Sequence, residues 1–259
     1  MNVSSWLTNS QIDRLDAELI MARAIGKDRT FLHAHPDYEF SAAEFKQIKS
    51  DTLRRQKHEP LAYILGEKEF YGRFFTVTPD TLIPRPETEA LIDIIKAQKP
   101  HKVLDVGTGS GCIAVTLALE LPETEVNALD ISQKALKIAR QNAQNLGAKV
   151  NFFESNLLEN AQKYDLIVAN LPYVDRKWDW LSPELAYEPK TALFAEDGGL
   201  ELIKKLIKQA PTHLEKQGKL ILEADISQHQ KIADFATSNS FEIIPSDRQN
   251  LALCLALSD

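Results

Sequence analysis

The sequence predicts an α/β fold: a mainly parallel seven-stranded sheet with helices on both faces and an antiparallel last strand, preceded by a small N-terminal helical domain and a β-hairpin linker. Three observations carry this expectation. From Lys102 onward, short apolar runs alternate with amphipathic stretches, the rhythm of strand–helix–strand units whose strands lie parallel. Over the first 65 or so residues no alternating strand pattern appears, and apolar residues recur at helical spacing. Between the two regions lie an aromatic, β-branched run and a cluster of prolines. The expected organisation is therefore a helical domain over 1–66, a hairpin and Pro-rich linker over 67–84, and an α/β domain over 85–259.

In the first region Leu15, Leu19 and Ala22 fall at helical spacing, and Ser41 is placed to cap "AAEFKQIKSDTLRRQ". "EFYGRFFTVT" reads as extended around Gly72. Pro79, Pro84 and Pro86 then make a stiff connector. "KVLDV" is a short strand that runs into a glycine loop, and "CIAVTLALEL" is the helix after it. "EVNALD" is the next strand. Ser132 caps a helix whose face is Ala135, Leu136, Ala139, Ala143 and Leu146, and Gly147 ends it. "KVNFFES" and "YDLIVAN" supply two further strands, "LELIKKLIKQA" an amphipathic helix, and "GKLILEAD" a fifth strand. "FEIIPSDRQNLALCLAL" reads as two strands joined by a polar turn.

The composition, 44% hydrophobic and 26% charged over 259 residues, is that of a soluble globular protein. The net charge of −7 argues against a chain that holds duplex nucleic acid through counterion release. "LRRQKH" is read as one solvated helix face. Cys112 and Cys254 offer neither a disulfide framework nor metal-ligand spacing, and the histidines are scattered, so no metal is expected. The first 20 residues lack the apolar core of a signal peptide and no run is long enough to span a bilayer, so a cytoplasmic protein is expected.

In an open parallel sheet, ligands bind beyond the carboxyl ends of the strands. The first strand ends in "DVGTGSG", Asp105 to Gly111; the second at Asp130; the third near "ESNLL"; the fourth at Asn170. Glycines let backbone N–H groups approach a ligand, and Asp130 is placed to accept from two ribose hydroxyls. A dinucleotide loop, G-x-G-x-x-G/A, would need Gly or Ala where Cys112 stands. The pattern D-x-G-x-G-x-G, led by Asp105, resembles the nucleoside-methionine loop of Rossmann-like methyltransferases instead. "NLPY", Asn170 to Tyr173, resembles the (N/D)-P-P-Y motif of enzymes that methylate planar nitrogens. An amide nitrogen shares its lone pair with its carbonyl and is a poor nucleophile. Acceptors on Asn170 and on the Leu171 carbonyl would fix its plane and aim it at a sulfonium methyl.

"PLAYILGEKEFYGRFFTVTPDTLIPRPETEALI" resembles the linker and I-P-R-P-E-T segment of the peptide-chain release factor glutamine N5-methyltransferases. "VLDVGTGSGCIAVTLA", "ALDIS", "DLIVANLPYV", "EPKTALFAEDGGLELI" and "GKLILE" follow in that family's order. The resemblance implies transfer of a methyl from S-adenosyl-L-methionine, leaving S-adenosyl-L-homocysteine, to the glutamine of the Gly-Gly-Gln motif of translation release factors. It implies donor contacts from Asp105, Gly107, Thr108, Gly109, Ser110, Gly111, Asp130 and Asn170, with Asn156 and Leu157 near the adenine. The substrate glutamine would be clamped by Asn170, Leu171, Pro172 and Tyr173, while Arg85 and Glu87 shape the pocket. The helical domain would recognise the release factor, with no membrane, no duplex nucleic acid and a monomeric chain. Glu188 and Pro189 belong to a loop scaffold over the site, and Trp178 and Trp180 are read as packing residues. Leu171 replaces the family's first Pro, Asn156 its usual Asp, and Asp225 follows "LEA" where a glycine is usual. Two other readings stand beside this one: an adenine-N6 methyltransferase acting on RNA or DNA, and an inactive donor-binding adaptor.

Overall fold

The computed structural model describes residues 1–179, 181–244 and 252–258. Two compact units form: Met1–Glu67 with Ser182–Tyr187, and Lys68–Leu181 with Glu188–Asp259.

The first unit contains α1 (Val3–Asn9), α2 (Arg14–Ile25), α3 (Arg29–Ala34), α4 (Ala42–Gln56) and α5 (Leu61–Leu65). Val3, Ile20, Met21, Leu32, Ile48 and Ile64 form its core. Ser41 starts α4 as expected: its hydroxyl accepts from the Glu44 N–H while the Glu44 carboxylate accepts from the Ser41 N–H, a reciprocal capping box. Leu15, Leu19 and Ala22 lie on a helix as their spacing predicts, but they do not all turn inward. Ala17, Ile20, Met21 and Ala22 are buried, whereas Leu15 is exposed. Glu18 also lies inward, its carboxylate held by Arg14 and Arg29. The later segment Ser182–Tyr187 joins this unit through an ion pair of Glu184 with Arg55 and a hydrogen bond from the Tyr187 hydroxyl to the Lys57 carbonyl.

The hairpin β1 (Glu67–Phe70) and β2 (Arg73–Thr76) turns at Tyr71 and Gly72, with φ of 51° and 73°. Left-handed backbone at both central residues is what a tight hairpin needs to match strand twist. Phe70 and Phe75 meet edge to face and enter the same core as Leu91 and Ile95. After the Pro-rich connector come α6 (Glu89–Gln98), β3 (Lys102–Val106), α7 (Cys112–Glu120), β4 (Glu125–Asp130), α8 (Gln133–Leu146), β5 (Asn151–Glu154) and β6 (Tyr164–Ala169). The chain continues through α9 (Lys190–Leu193), α10 (Glu201–His213), β7 (Leu214–Glu223), α11 (His229–Thr237), β8 (Phe241–Ile244) and β9 (Ala252–Leu257). Ser132 caps α8 and Gly147 closes it in the left-handed region, as the sequence predicts.

The seven strands run in the order β5-β4-β3-β6-β7-β9-β8. β3 to β7 pair in parallel, and β9 lies antiparallel to both β7 and β8. The expected antiparallel last strand is thus inserted one place in from the edge; the turn expected before it, residues 245–251, lies outside the described residues, as does Trp180. α6, α7 and α8 cover one face of the sheet, through Leu91, Val115 and Ala143 among others. α10 and α11 cover the other, through Ile203, Leu206 and Ile232. Among the described residues no helix is long and apolar enough to cross a membrane.

This strand order contains a switch point. From β3 the chain steps outward to β4 and β5, then returns to the other side of β3 as β6. The loops leaving β3 and β6 therefore diverge, and a crevice opens between them.

Candidate functional site

The pairing register decides which residues meet at that crevice. Val106 lies opposite Leu129 on β4 and opposite Ala169 on β6. The next residue along each strand, Gly107, Asp130 and Asn170, stands at one level: Gly107 and Asn170 just past β3 and β6, and Asp130 as the last residue of β4. A cavity of about 540 Å³ opens there and is lined by all three.

On one side stands the glycine loop. Gly107, Gly109 and Gly111 have φ of 75°, 56° and 82°, values that L side chains rarely adopt. The N–H groups of Gly107 and Thr108 both donate to the Leu129 carbonyl, which ties the loop to β4. The Gly109 N–H donates to Asp130 Oδ2 at 2.9 Å and the Ser132 N–H to Oδ1 at 2.8 Å. Burial pushes Asp130 above the usual carboxylate range, while those N–H groups pull it down. An ionised carboxylate offers roughly four acceptor positions, so both oxygens keep capacity for a ligand's hydroxyls.

Gly107, Thr108, Gly109 and Ser110 line the cavity, whereas Asp105 and Gly111 do not. Asp105 is fully buried beneath the loop and accepts from the Thr108 hydroxyl at 2.6 Å. Burial raises it to about 7. Gly111 faces α8: a Cβ there would sit 3.0 Å from that of Ala139. Its small size serves helix packing. Cys112, next along, has its thiol pushed up to about 12 by burial, which leaves it unreactive.

The β5 end contributes Asn156 and Leu157 to the lining. Asn156 is exposed and donates to Glu159 at 2.8 Å. Leu157 is buried with φ of 49°, a backbone strain held in place by its packing.

The opposite side is built on β6. Asn170, Leu171 and Pro172 line the cavity. Asn170 Nδ2 donates to Thr88 Oγ1 at 3.1 Å, which turns Oδ1 away from Thr88. Leu171 Cδ2 would lie 3.0 Å from a Cβ on Gly107, so the two sides of the crevice touch at that point. Tyr173 does not line the cavity. Its hydroxyl reaches Glu223 Oε1 at 3.4 Å, and its carbonyl accepts from Gln228 Nε2 at 2.8 Å. The same Gln228 amide donates to the Gly198 carbonyl. Gly199 is held by steric necessity, since a Cβ there would lie 1.9 Å from the Tyr173 carbonyl oxygen.

Arg85 lines the cavity and is ion-paired with the buried Glu188, which also accepts from the Ile83 N–H. Glu188 thereby fastens the 83–85 connector to the strand-exit loops. Glu87 is exposed and does not line the cavity.

Sequence reasoning passed over four residues that shape this site. Asn142 on α8 accepts from the Thr76 N–H and donates to the carbonyls of Thr76 and Ser110, joining hairpin and glycine loop. Thr88, Glu223 and Gln228 hold the Asn170–Tyr173 segment. The one available signal was polar residues inside apolar or helical patterns, which periodicity treats as exceptions. Asp225 now has an account: its side chain accepts from the Ser227 N–H and starts the short turn that presents Gln228.

Comparison with known proteins gives a consistent picture. The family of the methyltransferase small domain matches residues 86–184, and that of the PrmC N-terminal domain matches residues 3–66. The chain is 41% identical over 248 residues to the release factor glutamine methyltransferase of Koribacter versatilis, covering 91% of this chain and 88% of the relative. It is 39% identical to the protein of the same name from Coxiella burnetii, covering 97% and 93%. Among solved structures, a ribosomal protein L11 methylase from Lactobacillus delbrueckii subsp. bulgaricus is similar, with a TM-score of 0.51, 27% identity, and coverage of 68% of this chain and 81% of that one.

Proposed function

The chain belongs to the family of release factor glutamine methyltransferases, and from that premise and the site's geometry we propose that it methylates the side-chain amide nitrogen (N5) of the glutamine in the Gly-Gly-Gln motif of translation release factors, with S-adenosyl-L-methionine as donor. The single observation that carries the reading is the register at the switch point: Gly107, Asp130 and Asn170 stand at one level at the ends of three adjacent parallel strands. A glycine loop for the donor and an amide for the acceptor thus share one crevice.

The residues present fit that donor. A cavity of about 540 Å³ accommodates a nucleoside bearing an amino-acid tail. Asp130 would accept from the ribose hydroxyls, the backbone of Gly107 to Ser110 would pass along the amino-acid portion, and Asn156 and Leu157 would meet the adenine. S-adenosyl-L-methionine supplies, when bound, a methyl group made electrophilic by a positively charged sulfur. Asp105 and Gly111 act at one remove, Asp105 by holding Thr108 and Gly111 by letting α7 approach α8.

The acceptor side works by orientation. Asn170 Oδ1 and the Leu171 carbonyl would accept the two N–H bonds of the substrate amide and hold its plane. The nitrogen's π face is then directed along the approach line to the methyl. Holding reactants in an attack geometry contributes up to roughly 7–11 kcal/mol in well-oriented systems. Leu171 keeps the carbonyl that the role needs, and Pro172 stiffens the segment after it. Tyr173 supports the clamp from behind, and Arg85, anchored by Glu188, closes the wall. A protein acceptor agrees with the net charge of −7 and with a cytoplasmic, monomeric enzyme.

The test is a labelled-methyl assay that offers release factor, the same factor with its tip glutamine replaced by alanine, and structured RNA in parallel. Label on the unaltered factor alone is the expected result. Label on RNA and not on the factor overturns the reading in favour of an adenine-N6 enzyme.

A further inference from the structure

The β6–β7 pairing sets Ala169 opposite Leu222, so Asn170 and Glu223 are the next pair along the two strands. Glu223 is 5% exposed, a carboxylate buried at the strand end beside the acceptor clamp. One oxygen lies 3.4 Å from the Tyr173 hydroxyl, and the other accepts no hydrogen bond of good geometry. Burying such a group is costly, and it persists where neighbours stabilise it. Here the neighbours are Thr88 and Asn170, whose side chains lie close enough to favour the charged form.

The chemistry of these groups imposes a direction. An ionised carboxylate only accepts hydrogen bonds, and a hydroxyl carries one proton. With Glu223 ionised, its uncompensated oxygen draws the donors beside it, the Thr88 hydroxyl and the Asn170 amide, to turn their protons toward it, and the lone pairs of Thr88 Oγ1 are left to accept. The group they accept from is Asn170 Nδ2, at 3.1 Å. The amide of Asn170 must then present its NH2 inward and its oxygen to the crevice. Reversed, it would meet the substrate's NH2 with an NH2 of its own, two donors facing with no acceptor between them.

We propose that Glu223 is a positioning residue that, with Thr88, sets which end of the Asn170 amide faces the crevice, and so makes the site select a nitrogen that carries N–H bonds. The proposal rests on the functional reading above. It also explains why an acid is kept at the end of the otherwise apolar run "KLILE". The titratable and charged groups around Glu223 are Tyr173, Cys112 and Glu87, with Arg85 and Asp225 acting on the Tyr173 beside it. Burial raises Glu223 to about 7, with the Glu87 charge adding to the rise and Thr88, Tyr173 and Asn170 opposing it. Protonation would turn the acid into a donor toward Thr88, and the chain of hydrogen bonds would reverse.

The experiment compares the full-length enzyme with Glu223→Gln, Thr88→Val and Thr88→Ser, using a release factor as acceptor across the pH range around neutrality. The wild type is expected to show kcat rising with pH through about 7. Glu223→Gln should lower kcat about tenfold and remove that acid limb, since a neutral amide offers a donor as well as an acceptor. Thr88→Val should lower kcat by about 10–100-fold with donor affinity unchanged, and Thr88→Ser should recover most of it. If Glu223→Gln fails to fold, the valine and serine pair carries the same test. An active wild type together with a Glu223→Gln variant of unchanged kcat and unchanged pH profile overturns the proposal alone. A folded wild type that binds donor but methylates no glutamine overturns the functional reading and this proposal with it.

Discussion

The two sides of the crevice are built by different means. The glycine loop between β3 and α7 is held mainly through its own backbone: three glycines at positive φ, two N–H groups on one carbonyl, and the Gly109 N–H on the Asp130 carboxylate. The Asn170–Tyr173 segment is held by side chains from distant parts of the chain, with Thr88, Glu223 and Gln228 each contributing. A backbone cradle tolerates changes of side chain and fails when a Cβ is added. A side-chain network does the opposite: it fails when a single polar atom is lost. On the proposed reading the difference also matches the demands on each side. A donor has to be held, whereas an acceptor nitrogen has to be aimed.

The sharpest way to break this comparison is Asn170→Ala. Removing one preorganised hydrogen-bonding partner from a reacting centre costs about 10²–10³-fold in rate. We expect that loss in kcat, with the donor dissociation constant from calorimetry within about twofold of wild type, since on the proposed reading Asp130 and the glycine loop hold the ribose and tail. Equal losses in both would mean that the two sides are not separable.

Asp130→Asn probes the other side. Hydrogen bonds to a charged group contribute about 1.5–3 kcal/mol, so donor affinity should fall by about 10–100-fold while kcat at saturating donor changes little. Unchanged affinity would remove Asp130 from the donor's ribose.

Gly111→Ala separates ligand contact from packing. The added methyl would meet Ala139 and force a φ of 82° on an alanine, and overpacking of this kind destabilises by about 1–3 kcal/mol. A urea midpoint shifted by that amount, with donor affinity kept in the folded fraction, is the expected outcome. Lost affinity at full stability would place Gly111 against the ligand.

A separate effect is expected on the pH dependence of folding, away from the comparison of kinetic and binding losses. Asp105 has an ordinary value of 3.8 and is raised to about 7 by burial. Its folded form therefore binds the proton more tightly than its unfolded form, and stability falls as pH rises through the window between those values. The contribution is fully present below the unfolded value and gone above about 7. Asp105→Asn should flatten that part of the stability profile in urea titrations, and an unaltered slope would contradict it.

How much of this was legible beforehand follows from the same contrast. The loop glycines and Asp130 stand in one short stretch each, and their conformational requirements are local, so spacing alone brings them to the strand ends. The capping box of Ser41 and the face of α8 were readable for the same reason. Thr88 and Glu223 lie far apart in the chain, and only the β6–β7 register makes Glu223 a neighbour of Asn170. A polar residue at the end of an apolar run looks like a boundary until the strand beside it is known. On α2 the helical spacing of Leu15, Leu19 and Ala22 did not show which face turns inward, since a buried charge, Glu18, sits there paired with Arg14 and Arg29. Asp225, without explanation as a departure from the family pattern, became intelligible once its turn was seen to carry Gln228.

The central claim is that Asn170 and the Leu171 carbonyl hold a planar side-chain amide for methylation. Fragmentation mass spectrometry of a release factor after turnover tests it most directly, by locating the added methyl. The account predicts a single methyl on the side-chain nitrogen of the tip glutamine, absent when the enzyme carries Asn170→Ala. A methyl on any other residue, or undiminished modification by that variant, would contradict it.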